Sequence, residues 1–291
     1  MIDLLCIGEA MAELRQAPGQ DGFVVGFAGD TYNTAVYAKR CLGSNGSVGF
    51  MSRIGSDPLS KALLANAQAE GLDTRTISQD DQHNLGLYSV STDAAGERSF
   101  HYWRNQSAAR RLPTEDVSRA RVIYLSGITM AILSPEQRQN LIRTLRRVKG
   151  QCEIAYDSNY RPKLWESRQV AQAVTEQMWE LADLAFPSID DEMALFNDAS
   201  EDSVVARFEQ GRFAACTLKR AARGPLSLTH KGPLPAFLPA SNVVDTTAAG
   251  DSFNGGYLAA RLSGQGEADC LLAGHELAAR IVGVSGAIEP R

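Results

Sequence analysis

Short apolar runs alternate with longer amphipathic stretches along almost the whole chain. The apolar runs predict buried strands at residues 2–7, 47–53, 121–125, 152–156, 184–186, 214–218 and 242–244. The amphipathic stretches predict helices at 31–42, 58–70, 135–149, 251–262 and 268–284. This alternation is typical of a doubly wound, mostly parallel sheet flanked by helices. The predicted fold class is therefore α/β.

One region interrupts this alternation. Residues 85–92 and 97–103 read as two strands of an antiparallel hairpin around the turn 93–96, and residues 11–14 offer a further strand beside them. A small β-sheet inserted in this way predicts a lid over a site, with strands at about 10–16 and 85–104; the alternative is a plain surface hairpin. The chain is expected to form a single domain, 1–291. The aromatic hairpin favours a homodimer or higher homo-oligomer through the lid.

Composition narrows the class of protein. The 291 residues are 44% hydrophobic, which is enough to bury a large core, and the net charge of −5 argues against a nucleic-acid surface. The five cysteines include no Cys-x-x-Cys pair, which predicts free thiols in a reducing compartment, and the four histidines show no ligand spacing. The first residues do not resemble a signal peptide, and no apolar run approaches the length of a membrane span. We therefore expect a cytoplasmic protein without a membrane partner.

The segment 245–256 carries the strongest chemical signal. Ala248, Ala249 and Gly250 are small residues at a predicted helix start, where unpaired N–H groups favour a bound phosphate. Asp251 follows directly, and a carboxylate beside an anion site suits a base that activates a hydroxyl for attack on a phosphoryl group. The alternative is an aspartate that caps the helix. A P-loop is absent from the sequence.

Two further groups of residues indicate the acceptor. Asp30 and Asn33 stand at the start of a predicted helix, where their side chains suit the vicinal hydroxyls of a sugar; a helix cap is the alternative. Arg104 and Arg161 follow strands, and arginine holds a carboxylate through two parallel hydrogen bonds. A sugar acid would need such groups, whereas a neutral sugar would not. For either arginine alone, a surface ion pair is the alternative.

These motifs resemble those of the PfkB (ribokinase-like) carbohydrate kinases. Residues 245–258 resemble the C-terminal signature of that family, and residues 28–35 with 43–55 resemble the N-terminal one. The chain is most similar to the 2-keto-3-deoxygluconate kinases in segments 28–33, 96–105, 124–135, 157–165, 244–262 and 286–291. The resemblance implies a ribokinase-like fold and ATP-dependent phosphorylation of 2-keto-3-deoxy-D-gluconate at its 6-hydroxyl, with ATP and Mg²⁺ as cofactors.

The resemblance also implies roles for individual residues. The expected catalytic group is Asp251, Gly250, Ala249 and Ala248. The expected substrate-binding residues are Gly29, Asp30, Asn33, Tyr88, Tyr102, Arg104, Arg161 and Asp251. The expected nucleotide-binding residues are Ser158, Asn159, Arg161, Lys219, Arg220, Gly224, Ala248 and Gly250.

The sequence departs from the family pattern at three positions. Ala248 and Ala221 stand where the family has glycine, which restricts positive φ and puts the geometry of the nucleotide-binding turn at 219–224 in question. Ser188 stands where the family has the asparagine of an Asn-x-x-Glu motif. A magnesium role for Asp191 or Glu192, through water, therefore stays open. Two other functions also stay open: a kinase of a neutral sugar such as fructose or ribose, and a non-catalytic sugar-acid sensor.

Overall fold

The structure is a computed structural model, and it describes residues 1–17, 22–92, 98–115, 117 and 120–291. The predicted hairpin turn at 93–96 lies outside these residues. The strands, in chain order, are β1 (Ile2–Ile7), β2 (Met11–Gln16), β3 (Phe23–Ala28), β4 (Val48–Ile54), β5 (Ile77–Gln79), β6 (Gly86–Thr92), β7 (Arg98–Trp103), β8 (Ala120–Ser126), β9 (Glu153–Asp157), β10 (Leu184–Ala185), β11 (Ala215–Leu218) and β12 (Leu226–Ser227).

The helices are α1 (Asp30–Leu42), α2 (Pro58–Ala69), α3 (Gly127–Ile132), α4 (Pro135–Val148), α5 (Arg168–Leu181), α6 (Ile189–Phe196), α7 (Glu201–Glu209), α8 (Ala249–Leu262) and α9 (Glu267–Ile281). Within the described ranges, no helix is long and apolar enough to cross a membrane.

The large sheet has the strand order β12-β11-β10-β9-β8-β1-β4-β5. Its neighbouring strands run parallel except at the β11–β12 edge, which is antiparallel. Side chains of a strand alternate between the two faces of a sheet. Accordingly, Leu4 and Cys6 of β1 pack in a core with α1, α2, α8 and α9, whereas Leu5 and Ile7 pack in a second core with α3, α4 and α5. The predicted α/β fold class is confirmed.

A second sheet has the order β3-β2-β6-β7. The β6–β7 pair is the predicted antiparallel hairpin, and β2 pairs with β6 in parallel, which confirms the strand predicted beside it. Phe23 and Val25 on β3, and Phe100 and Trp103 on β7, expose large apolar side chains. This exposure fits an interface, but oligomerisation through the sheet stays a prediction.

Helix α8 lies between α1 and α9 at unusually short range. A Cβ added to Gly255 would lie 3.0 Å from the Thr34 carbonyl oxygen, and one added to Gly256 would lie 2.8 Å from the Ala273 carbonyl oxygen. Backbone groups at this distance leave no room for a side chain, so the glycine pair is what allows α1 and α9 to approach. The close packing brings the first turns of α1 and α8 together.

One predicted strand is wrong. Residues 242–244 form no strand; instead, the Val244 and Asp245 N–H groups both donate to the Val282 carbonyl oxygen just beyond α9, at 2.7 and 3.0 Å. Val243 and Val244 are exposed, because the segment is a loop across the end of α9 and not part of a sheet. The apolar run that predicted a buried strand is thus a surface segment. Helix α8 begins at Ala249, two residues before the predicted start.

Candidate active site

A cleft of about 1050 Å³ lies at the carboxyl ends of the parallel strands, with the second sheet on one side. Ligands of open α/β sheets bind at this edge. The cleft brings together these predicted residues: Gly29, Asp30, Asn33, Tyr88, Tyr102, Arg104, Asn159, Arg161, Asp191, Lys219, Arg220, Ala248, Ala249, Gly250 and Asp251. Ser158, Glu192 and Gly224 are predicted residues that do not line it.

Asp251 lies in the first turn of α8, almost fully buried. Its Oδ2 atom accepts a hydrogen bond of 2.8 Å from the Asn33 side-chain amide. Burial, followed by the nearby Asp30 carboxylate, raises the pKa of Asp251 to about 7, although the Asn33 hydrogen bond acts in the opposite direction. A carboxylate with a pKa near neutrality can accept a proton from a hydroxyl and then release it.

Ala248, the residue just before the first turn of α8, has a strained backbone conformation. Ala248 has φ 62° and ψ 14°, the left-handed conformation that glycine adopts without strain. The Ala249 N–H group was predicted to bind an anion, but it donates to the Thr246 carbonyl oxygen at 3.2 Å. This hydrogen bond closes a turn and leaves the group unavailable to a ligand. The Gly250 and Asp251 N–H groups have no acceptor within the helix, because the first α-helical bond runs from Ser252 to Ala248.

Asp30 is fixed by two donors from other elements. Its Oδ2 atom accepts hydrogen bonds from the Ser126 hydroxyl and, at 2.9 Å, from the Asn159 side-chain amide. Burial raises the pKa of Asp30 above its usual value. The preceding residue, Gly29, packs closely against the backbone of Glu9, since a Cβ on Gly29 would lie 2.1 Å from the Glu9 carbonyl oxygen. Asp30 is thus held in one orientation at the floor of the cleft.

Arg104 is buried and already paired. It donates to the Glu9 carboxylate, which also accepts from the Ser107 hydroxyl. Its Nε atom is buried and has no hydrogen-bond partner among the described residues. Glu9 was not predicted from the sequence, although its position just after β1, at the carboxyl edge of the sheet, is a signal that could have indicated it.

The aromatic residues of the second sheet cover this part of the cleft. The Tyr88 hydroxyl donates to Glu13 at 2.6 Å, and the Tyr88 ring lies 5.6 Å from the Tyr102 ring. The Tyr102 ring also lies 5.9 Å from the Arg104 guanidinium. Tyr102 remains half-exposed, so its ring is available to a ligand.

Arg161 and Asp191 form an ion pair of 3.1 Å at the opposite wall. Glu192 instead faces the protein interior, where it is fully buried and bonded to Arg207 at 2.7 Å. Burial raises the pKa of Glu192 to about 7. In the described part of the chain, no group of three or more metal-binding side chains is present. Of the two predicted carboxylates, Asp191 is therefore the one that could face a metal in the cleft.

The turn after β11 has its own internal contacts. Arg220 bonds to Glu201 at 3.0 Å, and its Nε atom donates to the Gly224 carbonyl oxygen at 3.2 Å. Ala221 adopts φ 50° and Gly224 adopts φ 76°. The alanine therefore takes the left-handed conformation that the family's glycine would allow, and the turn forms with this strain.

An apolar end of the cleft was not predicted. It lies beyond α8 and is lined by Pro239, Val243, Ala278 and Val282, together with His275, whose ring nitrogen lies 2.7 Å from the Leu238 carbonyl oxygen. These residues come from a loop and from α9, and no local motif marks them. Only their packing in three dimensions brings them together.

Comparisons with known proteins identify the family of this chain. The sequence matches the family described as pfkB family carbohydrate kinase over residues 1–291. A 2-dehydro-3-deoxygluconokinase of Escherichia coli strain K12 is 39% identical over 299 residues, which cover 98% of this chain and 96% of that protein. The 2-dehydro-3-deoxygluconokinase of Dickeya dadantii strain 3937 is 39% identical over 302 residues, covering 99% and 97%.

Among solved structures, a fructokinase with bound ATP from Xylella fastidiosa has a TM-score of 0.77 at 24% identity, covering 99% of this chain and 92% of that one. At this identity the likeness shows the fold alone. The fold and the matched family are those of sugar phosphotransferases. The chain belongs to the pfkB family of carbohydrate kinases.

The two strained alanines give a stability prediction. Ala248→Gly and Ala221→Gly should each stabilise the protein by roughly 0.5–1 kcal/mol, because relief of about 1–2 kcal/mol of left-handed strain exceeds the entropy cost of glycine. Urea unfolding of each variant measures the effect. Ala222→Gly is the control, since Ala222 has no positive φ, and it should destabilise or change nothing. If Ala248→Gly and Ala221→Gly lower the free energy of unfolding as much as Ala222→Gly does, then Ala248 and Ala221 are not strained.

The raised pKa of Asp251 predicts how stability depends on pH. The folded state holds a proton on Asp251 up to a pKa of about 7, whereas the unfolded chain loses it near 3.8, so this group costs stability as pH rises through that window. Asp251→Asn should therefore stabilise the protein by on the order of 1–4 kcal/mol at pH 8 and by much less at pH 4. Denaturant unfolding at both pH values tests this, with exposed Asp81→Asn as the control. A pH-independent effect of Asp251→Asn would be inconsistent with it.

Proposed function

We propose that the protein transfers the γ-phosphoryl group of ATP to the 6-hydroxyl of 2-keto-3-deoxy-D-gluconate, giving 2-keto-3-deoxy-6-phosphogluconate. The observation that carries the proposal is the buried Asp251 carboxylate, with a pKa of about 7, at the N-terminal turn of α8. The names of the two relatives at 39% identity support the acceptor. The ATP bound to the Xylella fastidiosa fructokinase supports the donor.

The chemical step requires a base, an aligned acceptor and a site for the developing negative charge. Asp251 accepts the proton of the 6-hydroxyl while the hydroxyl oxygen forms its bond to the γ-phosphorus. The bond between the γ-phosphorus and the β–γ bridging oxygen breaks, and its electron pair leaves with ADP. The Gly250 and Asp251 N–H groups, which have no acceptor in α8, face the transferred group.

The acceptor would lie between the floor of the cleft and the second sheet. Asp30 and Asn33 bind sugar hydroxyls there, and the half-exposed Tyr102 ring covers them. Arg104 binds the carboxylate of the sugar acid through donors that Glu9 does not use, including the buried Nε atom that lacks a protein partner. A buried guanidinium donor without an acceptor is costly unless a ligand supplies one.

The nucleotide would extend from α8 toward the apolar end of the cleft. Val243, Ala278 and Val282 offer the apolar surface that a purine ring requires, and the basic residues Lys219 and Arg220 line the same cleft. Mg²⁺ bound to the nucleotide phosphates would supply charge neutralisation, and Asp191 is the carboxylate that could reach it through water. Few protein ligands are needed for this ion, because Mg²⁺ in phosphoryl-transfer sites is held largely by phosphates and water.

One observation favours a second function, phosphorylation of a neutral sugar. Both arginines expected to bind a carboxylate are paired with protein carboxylates, Arg104 with Glu9 and Arg161 with Asp191. An ion pair has no net charge, so the attraction of either arginine for an anionic acceptor is reduced. The unpartnered Nε atom of Arg104 still favours the sugar acid.

The decisive experiment is an ATP-consumption assay with 2-keto-3-deoxygluconate against a panel that includes fructose, ribose and other sugar acids. Charge-assisted hydrogen bonds of about 1.5–3 kcal/mol predict a preference in kcat/KM for the sugar acid of roughly 10- to 200-fold. Equal or faster turnover of a neutral sugar would support the second function. If none of the acceptors in the panel leads to ATP consumption, a non-catalytic sensor is favoured.

A paired variant tests the role of Arg104 without leaving a buried charge alone. Glu9→Gln/Arg104→Gln removes both charges together, and it should raise the KM for the sugar acid at least about tenfold while leaving kcat for a neutral sugar unchanged. Arg138→Ala is the control, because it removes another buried guanidinium, outside the cleft. An unchanged KM in the paired variant would contradict carboxylate binding by Arg104.

A further inference from the structure

Asp157, the last residue of β9, accepts hydrogen bonds from three different parts of the fold. It is almost fully buried, and its carboxylate binds the Lys219 ammonium, the Asn254 side-chain amide at 2.6 Å and the Asn159 N–H at 3.1 Å. Lys219 follows β11, and Asn254 belongs to α8. None of the sequence motifs assigns Asp157 a role.

The Lys219 ammonium held by Asp157 lies over the first turn of α8. Its Nζ atom is 3.5 Å from the position that a Cβ on Gly250 would occupy. The positive charge of Lys219 also lowers the pKa of Asp251, which shows that it lies close to the proposed base. A phosphoryl group bound at the N-terminus of α8 would therefore lie within reach of this ammonium.

The alternative for Asp157 is a purely structural ion pair. Two features argue against it. A lysine that only joined β9 to β11 could lie anywhere along those strands, whereas Lys219 stands at their carboxyl ends, in the cleft wall. Asn254 of α8 also donates a hydrogen bond to Asp157, and the first turn of the same helix carries Gly250 and Asp251. Helix α8 therefore fixes the position of the Asp157 carboxylate relative to the proposed phosphoryl site.

We propose that Asp157 is a positioning residue that holds the Lys219 ammonium where it neutralises the charge on the transferred phosphoryl group. The inference rests on the proposed phosphoryl transfer and extends it to a pair of residues. The pair forms and breaks no covalent bond; the proton and the leaving group go to Asp251 and ADP as described above. Lys219 acts on the transition state, and Asp157 acts through Lys219.

A double-mutant cycle tests this dependence. Lys219→Met should lower kcat by about 100-fold, the loss found when one donor to a developing negative charge is removed. Asp157→Asn should also lower kcat, and the combined variant should be no slower than Lys219→Met within about threefold, because both changes remove one function. Multiplied losses in the combined variant, or an unchanged kcat in either single variant, would overturn the proposal.

A second comparison does not depend on the folding of the Asp157 variants. Lys219→Arg keeps a cation beside Asp157 and should retain more kcat than Lys219→Met; equal losses would overturn the proposal. The control is the Lys149–Asp183 pair, whose atoms lie 3.4 Å apart outside the cleft. Asp183→Asn removes the same kind of charge and should leave kcat unchanged.

The cycle is measured with the acceptor that the wild type phosphorylates fastest, and unfolding curves confirm that each variant is folded. If that acceptor is a neutral sugar, the assignment of the sugar acid as substrate is wrong. The loss of kcat in the combined variant, compared with the losses in the single variants, still decides the role of Asp157. A wild type that transfers phosphate to no acceptor would overturn both the proposed function and this inference.

Discussion

Three carboxylates, from Asp30, Asp157 and Asp251, lie in one cleft, and the rest of the site is arranged around their mutual repulsion. Asp157 and Asp251 are buried, and Asp30 is half-buried. Asp30 and Asp157 both contribute to the raised pKa of Asp251, and Asp157 contributes to that of Asp30. Buried carboxylates persist only when donors or cations offset the loss of water. Here the donors come from α1, α8 and the segments that follow β9 and β11, so the parallel sheet is what brings them together.

The same arrangement explains where the backbone is strained. Asn159 has φ 30°, Ala221 has φ 50° and Ala248 has φ 62°, and all three line the cleft. Each holds a group that the site uses: the Asn159 amide binds Asp30, Ala221 lies in the turn after Lys219, and Ala248 begins α8. Strain of this kind is tolerated where the surrounding structure determines the conformation. In this protein stability is thus lowered at the positions that arrange the carboxylates and the helix start.

The sequence predicted much of the fold and part of the site, for identifiable reasons. Asp251, Asp30 and Asn33 were predicted because each stands at a helix start beside small residues, a local pattern. The strand at 242–244 was wrong because an apolar run does not reveal whether a neighbouring strand exists to pair with it. Glu9 and Asp157 were missed because their importance lies in partners about 60 to 100 residues away, Arg104 and Lys219, which only the folded chain brings close.

Glu192 shows a further limit of local reasoning. Asp191 and Glu192 are adjacent carboxylates in one helix, so a motif cannot distinguish them, but neighbouring helical residues point in different directions. The structure places Asp191 in the cleft and Glu192 against Arg207 in the interior. The orientation of α6 on the sheet, which is a property of tertiary packing, decides which carboxylate is available to a ligand.

The proposed function depends above all on Asp251 accepting the proton of the attacking hydroxyl. The most direct measurement is the single-turnover rate of phosphoryl transfer from ATP to 2-keto-3-deoxygluconate, in wild type and in Asp251→Asn, with binding of the sugar acid measured separately by calorimetry. The transfer rate should be at least about 100-fold lower in Asp251→Asn, within the range typical of general-base catalysis, and the affinity for the sugar acid should change only modestly. An undiminished transfer rate in Asp251→Asn would contradict this role of Asp251.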